Sequence, residues 1–524
     1  MRDSLDSLES VSDSKSEKLK TAGRMVAYST GYMLGGGGQQ ITSMYYLNFL
    51  IFGAGLSPMI AGIVSGISKL WDGIIDPFLG LLVDRTKTRW GSCRPWLLAC
   101  AVPVLISYYM LWNGFGIQSG VLKVAYYLFA CLFFSTASSL GTVPYEALLP
   151  RMVESYGQRT DYSVLRSLFA GMASAGSIWL FEALVPAKEA ADYANLGPNF
   201  QRMGFVLGLV FAIAPVITFL GSKERAKVYT PIKWNARELF GQYASLMRCR
   251  LYRRTLFLNL LGVFVSYCST AVMVIFVLLV YSNRQINLLG INMSLTFFAI
   301  NWEGAWEVLS FLTSIVLMKK TKSKFSPLRL NFPLHVAGSL LLLFIGADTP
   351  LWVFFLALAV SGYGASCIQF IPTTLLPDLP DVDELVTGMQ REGTSAGLVN
   401  MSKQIMQGLA FLLCGAVLSG FGLSEETATP ELAAGAPLMA VKLIYGLIPA
   451  ICGVFMWLSS RNYPLTPERH ALVQAKIREK REHGSAEVSL DEQAVFSELT
   501  GLPYEKLWIA KPLTADEISA EVVI

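Results

Sequence analysis

The sequence predicts an all-α membrane protein: twelve membrane-spanning helices in two six-helix bundles, with both termini in the cytosol. Three observations carry this. Of the 524 residues, 53% are hydrophobic and only 15% are charged, against about a quarter charged in soluble domains, and the mean hydropathy is +0.47. Apolar runs long enough to cross about 30 Å of hydrocarbon recur along the whole chain. Lys and Arg gather in alternate loops, which places those loops in the cytosol.

In chain order, residues 1–25 are polar, lack the apolar stretch of a cleavable signal peptide and read as a cytosolic tail. Apolar runs at about 26–50, 58–83, 95–116, 122–149, 162–186 and 201–221 make a first bundle, 26–221. Arg85, Lys87, Arg89 and Arg94 follow its second run. The segment 222–254 carries nine Lys and Arg residues and divides the spans six and six, as a central cytosolic loop does. Its stretch Trp234 to Phe240 reads as a linker helix or as an amphipathic helix on the membrane surface. Runs at about 255–281, 291–317, 328–346, 350–376, 392–421 and 436–458 make the second bundle, 255–458. Lys319, Lys320, Lys322 and Lys324 follow the eighth run. The remainder, 459–524, is a polar cytosolic tail with a charge-mixed helix at 467–483, and its last forty residues are expected to be partly disordered.

Several chemistries have no footing. The eight cysteines are scattered with no CxxC spacing, and the three histidines, His335, His470 and His483, are dispersed. Phosphate-binding, dinucleotide, zinc-protease and serine-hydrolase motifs do not occur. The expectation is a protein that is not an enzyme, with no cofactor, no fixed metal centre and no nucleic-acid partner; topology explains the basic loops.

Charge inside the spans is where function shows. Asp72 and Asp76 lie four residues apart in the second run, one turn, so both face the same way, and Lys69 shares that face. Each charge costs about 2.5–3.5 kcal/mol at mid-membrane on insertion scales, which a plain anchor helix would not retain. Two carboxylates held together repel, so one takes a proton or both share a cation. A structural ion pair that locks helices is the competing account.

The stretch Trp71-Asp72-x-x-Asp76-Pro77-x-x-Gly80, continued by Asp84-Arg85-Thr86-Lys87-Thr88-Arg89-Trp90-Gly91-x-x-Arg94-Pro95-Trp96, closely resembles the glycoside-pentoside-hexuronide:cation symporters. These are the melibiose-carrier branch of the major facilitator superfamily. Val143-Pro144-Tyr145-x-Ala147-Leu148-x-Pro150 agrees, as do Asp378 to Gly393 and Tyr463-Pro464-Leu465-Thr466, so the resemblance covers about 20–465. It implies the major facilitator fold, alternating access, and symport of a solute with H+, Na+ or Li+. By resemblance Asp72, Asp76 and Ser139 form the cation site. Gly80, Asp84, Arg85 and Arg89 form a cytosolic gate: Gly80 allows close helix approach and the charged residues latch one state.

Two departures qualify this. The family's sodium-coupled galactoside carriers have an asparagine just before the second acid, where this chain has Ile75, which tilts the expectation towards a proton with sodium as the alternative. Their sugar-binding acids fall on Gly36, within Gly35-Gly36-Gly37-Gly38, and on Thr142, which disfavours galactosides but not other glycosides. The glycines either widen the wall beside a substrate or permit close helix packing.

Other candidate substrate contacts are Lys69, Tyr46, Tyr145, Glu146 and Arg166, the last matching a cavity arginine of the family or else a snorkelling one. Tyr45 is a weaker lining candidate. Glu303 and Glu307 form a second one-turn acidic pair interleaved with Trp302 and Trp306, suited to a ring face or a cationic group. Lys403 is a candidate for closing the cavity against the Asp72/Asp76 pair. The expected function is cation-coupled symport of a sugar or glycoside (oligosaccharide, pentoside or hexuronide) by a monomeric, multi-pass protein of the plasma or bacterial inner membrane. An amphiphile such as a lysolipid is the alternative cargo, and a non-transporting receptor or scaffold the alternative class.

Overall fold

The second span shows how this sequence builds a long helix and what holds it. Pro58 starts it at the first helical position, where a missing N–H costs nothing, and the helix runs Pro58–Arg85 before Thr86 turns extended. It packs on the fourth span, Gly120–Met152. Ser68 Oγ donates to the Cys131 carbonyl at 3.4 Å, and the Trp71 indole N–H donates to Thr136 Oγ1 at 2.9 Å.

This computed structural model describes residues 21–153, 156–188, 190–224, 236–281, 285–288, 291–321, 326–389, 391–424, 435–461 and 463–511. Most of the N-terminal tail, Arg225, Lys227, Lys233, Trp234, Asn235, Lys322, Lys324 and the end of the C-terminal tail lie outside them. Among the described residues, eight helices are long and apolar enough to cross a membrane: Arg94–Leu111, Gly120–Met152, Asp161–Leu184, Gly197–Gly221, Arg250–Val280, Ser326–Phe344, Gly393–Gly420 and Ala436–Arg461. The other helical runs expected to span are Pro58–Arg85, Leu295–Thr321 and Leu351–Leu375, together with a first span in which two π turns, Leu34–Gly38 and Phe49–Gly53, flank Gln39–Asn48. The second and eighth spans carry the two one-turn carboxylate pairs, Asp72 with Asp76 and Glu303 with Glu307. Among the described residues the regular structure is helical apart from a short antiparallel hairpin, Gln285–Leu288 with Ile291–Ser294, in the seventh-to-eighth connection.

The glycine run settles between its two sequence readings. A Cβ at Gly36 would lie 3.0 Å from Ala170 Cα, and one at Gly37 would lie 2.6 Å from Ser177 Oγ, so these glycines let the first and fifth spans touch. Gly36 is therefore corrected from a substrate-facing position to a packing one. Gly80 is corrected in the opposite sense. A Cβ there would meet only Val143, at 4.0 Å, so no close approach depends on it here. Gly36→Val is expected to cost about 1–3 kcal/mol by overpacking, and Gly80→Ala less than about 0.5 kcal/mol. Thermal unfolding of the purified variants reads the contrast.

The chain falls into two compact units. One comprises Met1–Ile232, Thr270–Phe298 and Phe411–Ala440; the other comprises Lys233–Ser269, Ala299–Ala410 and Val441–Ile524. The second unit holds the largest departure from expectation. The tail, expected to be partly disordered over its last forty residues, is folded through Lys511, and 512–524 lie outside the described residues. Thr466 caps the helix Pro467–His483, and a capping box of Ser489 and Glu492 starts Leu490–Thr500. Val473, Ile477, Phe496, Leu499, Leu507 and Ile509 are buried in one core with Leu379, Val382 and Leu385 of the helix Leu379–Thr387. Each such burial contributes about 1.5–3 kcal/mol. Within the linker helix Ala236–Leu246, Tyr243 and Leu246 join that core, which favours the linker reading over one lying on a membrane surface. Lys480, fully buried, donates to the carbonyls of Trp508 and Lys511 and sits 4.0 Å over the Trp508 ring.

Polar contacts join the tail to the same helix. His470 Nε2 lies 2.8 Å from Asp381 Oδ2, Gln474 donates to that oxygen at 2.8 Å, and Arg481 pairs with Glu384. The His470 contact holds the Asp381 carboxyl below its usual range. Because the folded form favours the ionised carboxylate, this contribution is complete above the unfolded pKa of about 3.9 and is lost as pH falls through the lower folded value. Acid loosening of the tail, followed by Trp508 fluorescence, is thus expected below about pH 4 and is expected to be smaller in Asp381→Asn. The pair is part-exposed, so its share is a few tenths of a kcal/mol.

Candidate functional site

Asp72 is the centre of a polar cavity inside the first unit. The carboxylate is 6% exposed. Lys69 Nζ lies 3.4 Å from its Oδ2, one turn back on the same helix, and Ser135 of the fourth span donates to its Oδ1. Ser135 in turn stands 3.5 Å from the Ser68 carbonyl, so the acid is held from two helices. Around it the first span contributes Gln39, Thr42, Ser43 and Tyr46, the second Ser65 and Ser68, and the fourth Ser138. Gln39 Nε2 donates to Ser138 Oγ at 3.3 Å.

The cavity volume is about 30 Å3. One water needs about 10–15 Å3 on this measure, so the space admits a water or a bare cation and excludes a sugar ring. In this conformation it is a cation-sized site. Asp76 lies one turn further on and is half-buried; its Oδ1 is fully buried and accepts no hydrogen bond from a described residue. Ser139 faces it from the fourth span, and both Asp72 and Lys69 lie within electrostatic reach. An orphaned carboxylate oxygen beside a paired carboxylate is the arrangement in which a proton or a cation completes the set.

The sequence-predicted residues divide among several places. Asp72, Lys69 and Tyr46 share the cavity, and Asp76 with Ser139 stands beside it. Ser135, Ser65 and Ser68 had no sequence motif of their own, although Ser135 precedes Ser139 by one helical turn. Tyr145 is corrected from a lining residue to a core one: it is 2% exposed and stacks on Tyr28 at 4.6 Å. Tyr45 is likewise core, its hydroxyl donating to Glu182 Oε1 at 2.6 Å, an intramembrane acid that sequence reasoning passed over. Thr142 is half-buried near Gly35 and does not line the cavity.

Arg166 and Glu146 are joined to each other, Nη1 to Oε2 at 2.8 Å, with the guanidinium 4.6 Å over the Tyr32 ring. That accounts for the arginine by an intrachain partner. Within the second unit, Tyr445 donates to Glu303 at 3.1 Å, and the Trp302 indole is committed to the Phe355 carbonyl at 2.9 Å, so this tryptophan is a packing element. Glu307 and Lys403 are half-buried on their spans.

At the positions expected to gate, the contacts are made with residues the motif did not include. Asp84 pairs with Arg151 at 2.6 Å, and Arg151 also donates to Ser92. Arg85 and Arg89 are exposed, Arg89 lying 5.0 Å over Trp90. The pairing made by Asp84 in this structure is the one with Arg151, within the first unit. Glu224 closes the arrangement by accepting from the backbone N–H groups of Ser92, Cys93 and Arg94 at 2.7, 2.6 and 3.0 Å. Its carboxylate thereby caps the start of the third span.

The profile of the MFS/sugar transport protein family matches residues 27–467. The chain belongs to that family. It is a transporter of the major facilitator fold and not an enzyme, as its relatives and structural neighbours also are. An uncharacterised symporter of Synechocystis sp. (strain ATCC 27184 / PCC 6803 / Kazusa) is 24% identical over 84% of this chain and 94% of that protein. The sodium-dependent lysophosphatidylcholine symporter 1-A of Danio rerio is 25% identical over 67% of this chain and 69% of that protein. Among solved structures, a D-xylose-proton symporter superposes with a TM-score of 0.55 at 14% identity, covering 83% of this chain and 97% of that one; this likeness speaks for the fold alone.

Proposed function

We propose that this member of the MFS/sugar transport family is a cation-coupled symporter of a sugar or glycoside, of the glycoside-pentoside-hexuronide:cation branch, working by alternating access in the plasma or bacterial inner membrane. The observation that carries the proposal is the buried Asp72, held by Lys69 and Ser135 in a hydroxyl-lined cavity of cation size, with the orphaned Asp76 oxygen beside it. An arriving cation competes with Lys69 for Asp72. The coupling ion is a proton or Na+, and the two are closer in merit than Ile75 suggested, because Ser65, Ser68, Ser135 and Ser138 supply oxygens that the sequence motif did not count. Cargo such as an oligosaccharide, pentoside or hexuronide binds outside this cavity, with the protein acting as a monomer between a central loop at 222–254 and the tail from 459.

A lysolipid-like amphiphile is the second reading, supported by the similarity to the Danio rerio lysophosphatidylcholine symporter. A receptor without transport is disfavoured by the retained carboxylates, which a scaffold has no need to keep. Uptake into proteoliposomes under an imposed proton or sodium gradient, with a panel of sugars, hexuronides and lysolipids, tests all three. Accumulation of a sugar driven by either ion supports the proposal. Accumulation of lysolipid alone moves it to the second reading, and failure to accumulate any solute of the panel sinks it.

A further inference from the structure

The second unit carries a strongly basic cleft that the transport mechanism does not use. Arg250, Arg253, Arg254 and Phe257 lie at the start of the helix Arg250–Val280 and line an open cleft of about 720 Å3; its other walls are Ser459, Pro464 and Glu498. The spacing is i, i+3, i+4, i+7, so the four side chains share one helical face. Arg253 donates to the carbonyls of Met247 and Arg248 at 2.9 and 3.2 Å, and Arg254 donates to the Ser459 carbonyl. The carbonyl partners of Arg253 are neutral and orient its guanidinium without cancelling its charge. Glu498, the acid in the lining, is drawn off by Arg469 at 3.1 Å. Among the described residues neither Arg250 nor Arg253 is placed against a carboxylate.

The folded tail shapes this cleft. Gly501 follows the helix Leu490–Thr500 in the left-handed region, φ 73°, and a Cβ there would come within 2.8 Å of Arg250 Cβ. The missing side chain lets the tail bear on the Arg250 stem, with Glu498 forming the wall beyond it. One turn towards the membrane the cleft changes character. Phe257 is 54% exposed and lies about 6 Å along the axis from Arg253, at the entry of a helix long and apolar enough to cross a membrane. Cations above an exposed aromatic ring at the mouth of a membrane span are complementary to an anionic head above an acyl chain.

We propose that this cleft is a binding site for an anionic phospholipid of the cytosolic leaflet: Arg250, Arg253 and Arg254 hold the phosphate and Phe257 lies against the first part of an acyl chain. Arginine suits the role because its planar fork meets phosphate oxygens in pairs, and basic pockets at the cytosolic side of spans are favourable places for such headgroups. A free phosphate offers the same charge but has no use for the exposed ring, which is why the lipid is the chosen ligand.

Native mass spectrometry of the full-length protein, offered equal amounts of phosphatidylglycerol and phosphatidylcholine, tests the assignment. The wild type is expected to retain phosphatidylglycerol about tenfold over phosphatidylcholine. Arg250→Gln/Arg253→Gln changes two exposed side chains and is expected to abolish the preference, while Arg250→Lys/Arg253→Lys retains most of it. Excess glycerol phosphate is expected to leave the bound lipid in place. Equal retention of the two lipids by the wild type, or an undiminished preference in the glutamine variant, overturns the proposal. Displacement by glycerol phosphate overturns it as well, by making the cleft a soluble-anion site.

Discussion

Asp72→Asn is expected to lower gradient-driven accumulation by about 100-fold or more for whichever solute the wild-type protein concentrates. Asp72 is 6% exposed, faces Lys69 at 3.4 Å and receives the Ser135 hydroxyl. Removing its charge deletes the one carboxylate among the described residues that line the cavity and takes from Lys69 the partner at 3.4 Å. Breaking one side of a buried pair costs about 3–5 kcal/mol, which corresponds to about 10² to 4 × 10³-fold in an equilibrium. Two measurements separate coupling from folding. Gradient-driven uptake should vanish in Asp72→Asn, whereas Asp72→Asn/Lys69→Met, which removes both charges, should recover thermal stability without recovering uptake. Wild-type accumulation by the single variant would place the cation site elsewhere.

The parts of the protein that follow one-dimensional rules were legible in the sequence. Hydropathy and loop charge yield the helical membrane fold, and the spacing of Lys69, Asp72 and Asp76 yields their common face, because both depend only on helical periodicity. What depends on neighbours from other spans was not legible. Ser135 reaches Asp72 across 63 residues, and Arg151 reaches Asp84 across 67, so no local pattern marks either. The glycine run shows the same limit: its composition fits an open wall or a tight crossing, and only Ala170 and Ser177 decide for the crossing. The tail misleads for another reason. Its polarity suggested a solvated tail, partly disordered over the last forty residues, yet apolar residues at Val473, Ile477, Phe496, Leu499 and Leu507 find a core supplied by a different part of the chain.

That shared core makes Arg391→Ala the second large effect. Arg391 Nε and Nη2 donate to the two oxygens of Asp383 at 2.9 and 2.6 Å, and the arginine and aspartate side chains are 9% and 2% exposed. Nη2 also reaches Ser245 Oγ of the linker helix at 3.4 Å. One guanidinium thus ties the start of the eleventh span to the helix Leu379–Thr387 and to the linker. Truncating it leaves Asp383 charged inside an apolar core, at a cost of about 3–5 kcal/mol. Asp383→Asn/Arg391→Gln removes both charges and is expected to recover most of that loss, as neutral partners of similar shape can. The damage should spread into the tail, since Gly388, at φ 73° beside Arg391, leaves room for the Trp508 indole, which would stand 2.5 Å from any Cβ there. Hydrogen exchange in Arg391→Ala should therefore rise in 379–387 and in 490–510 together, with the Asp72 cavity unaffected. Exchange that rises in the first segment alone would show that the tail is held by its own contacts and not through this pair.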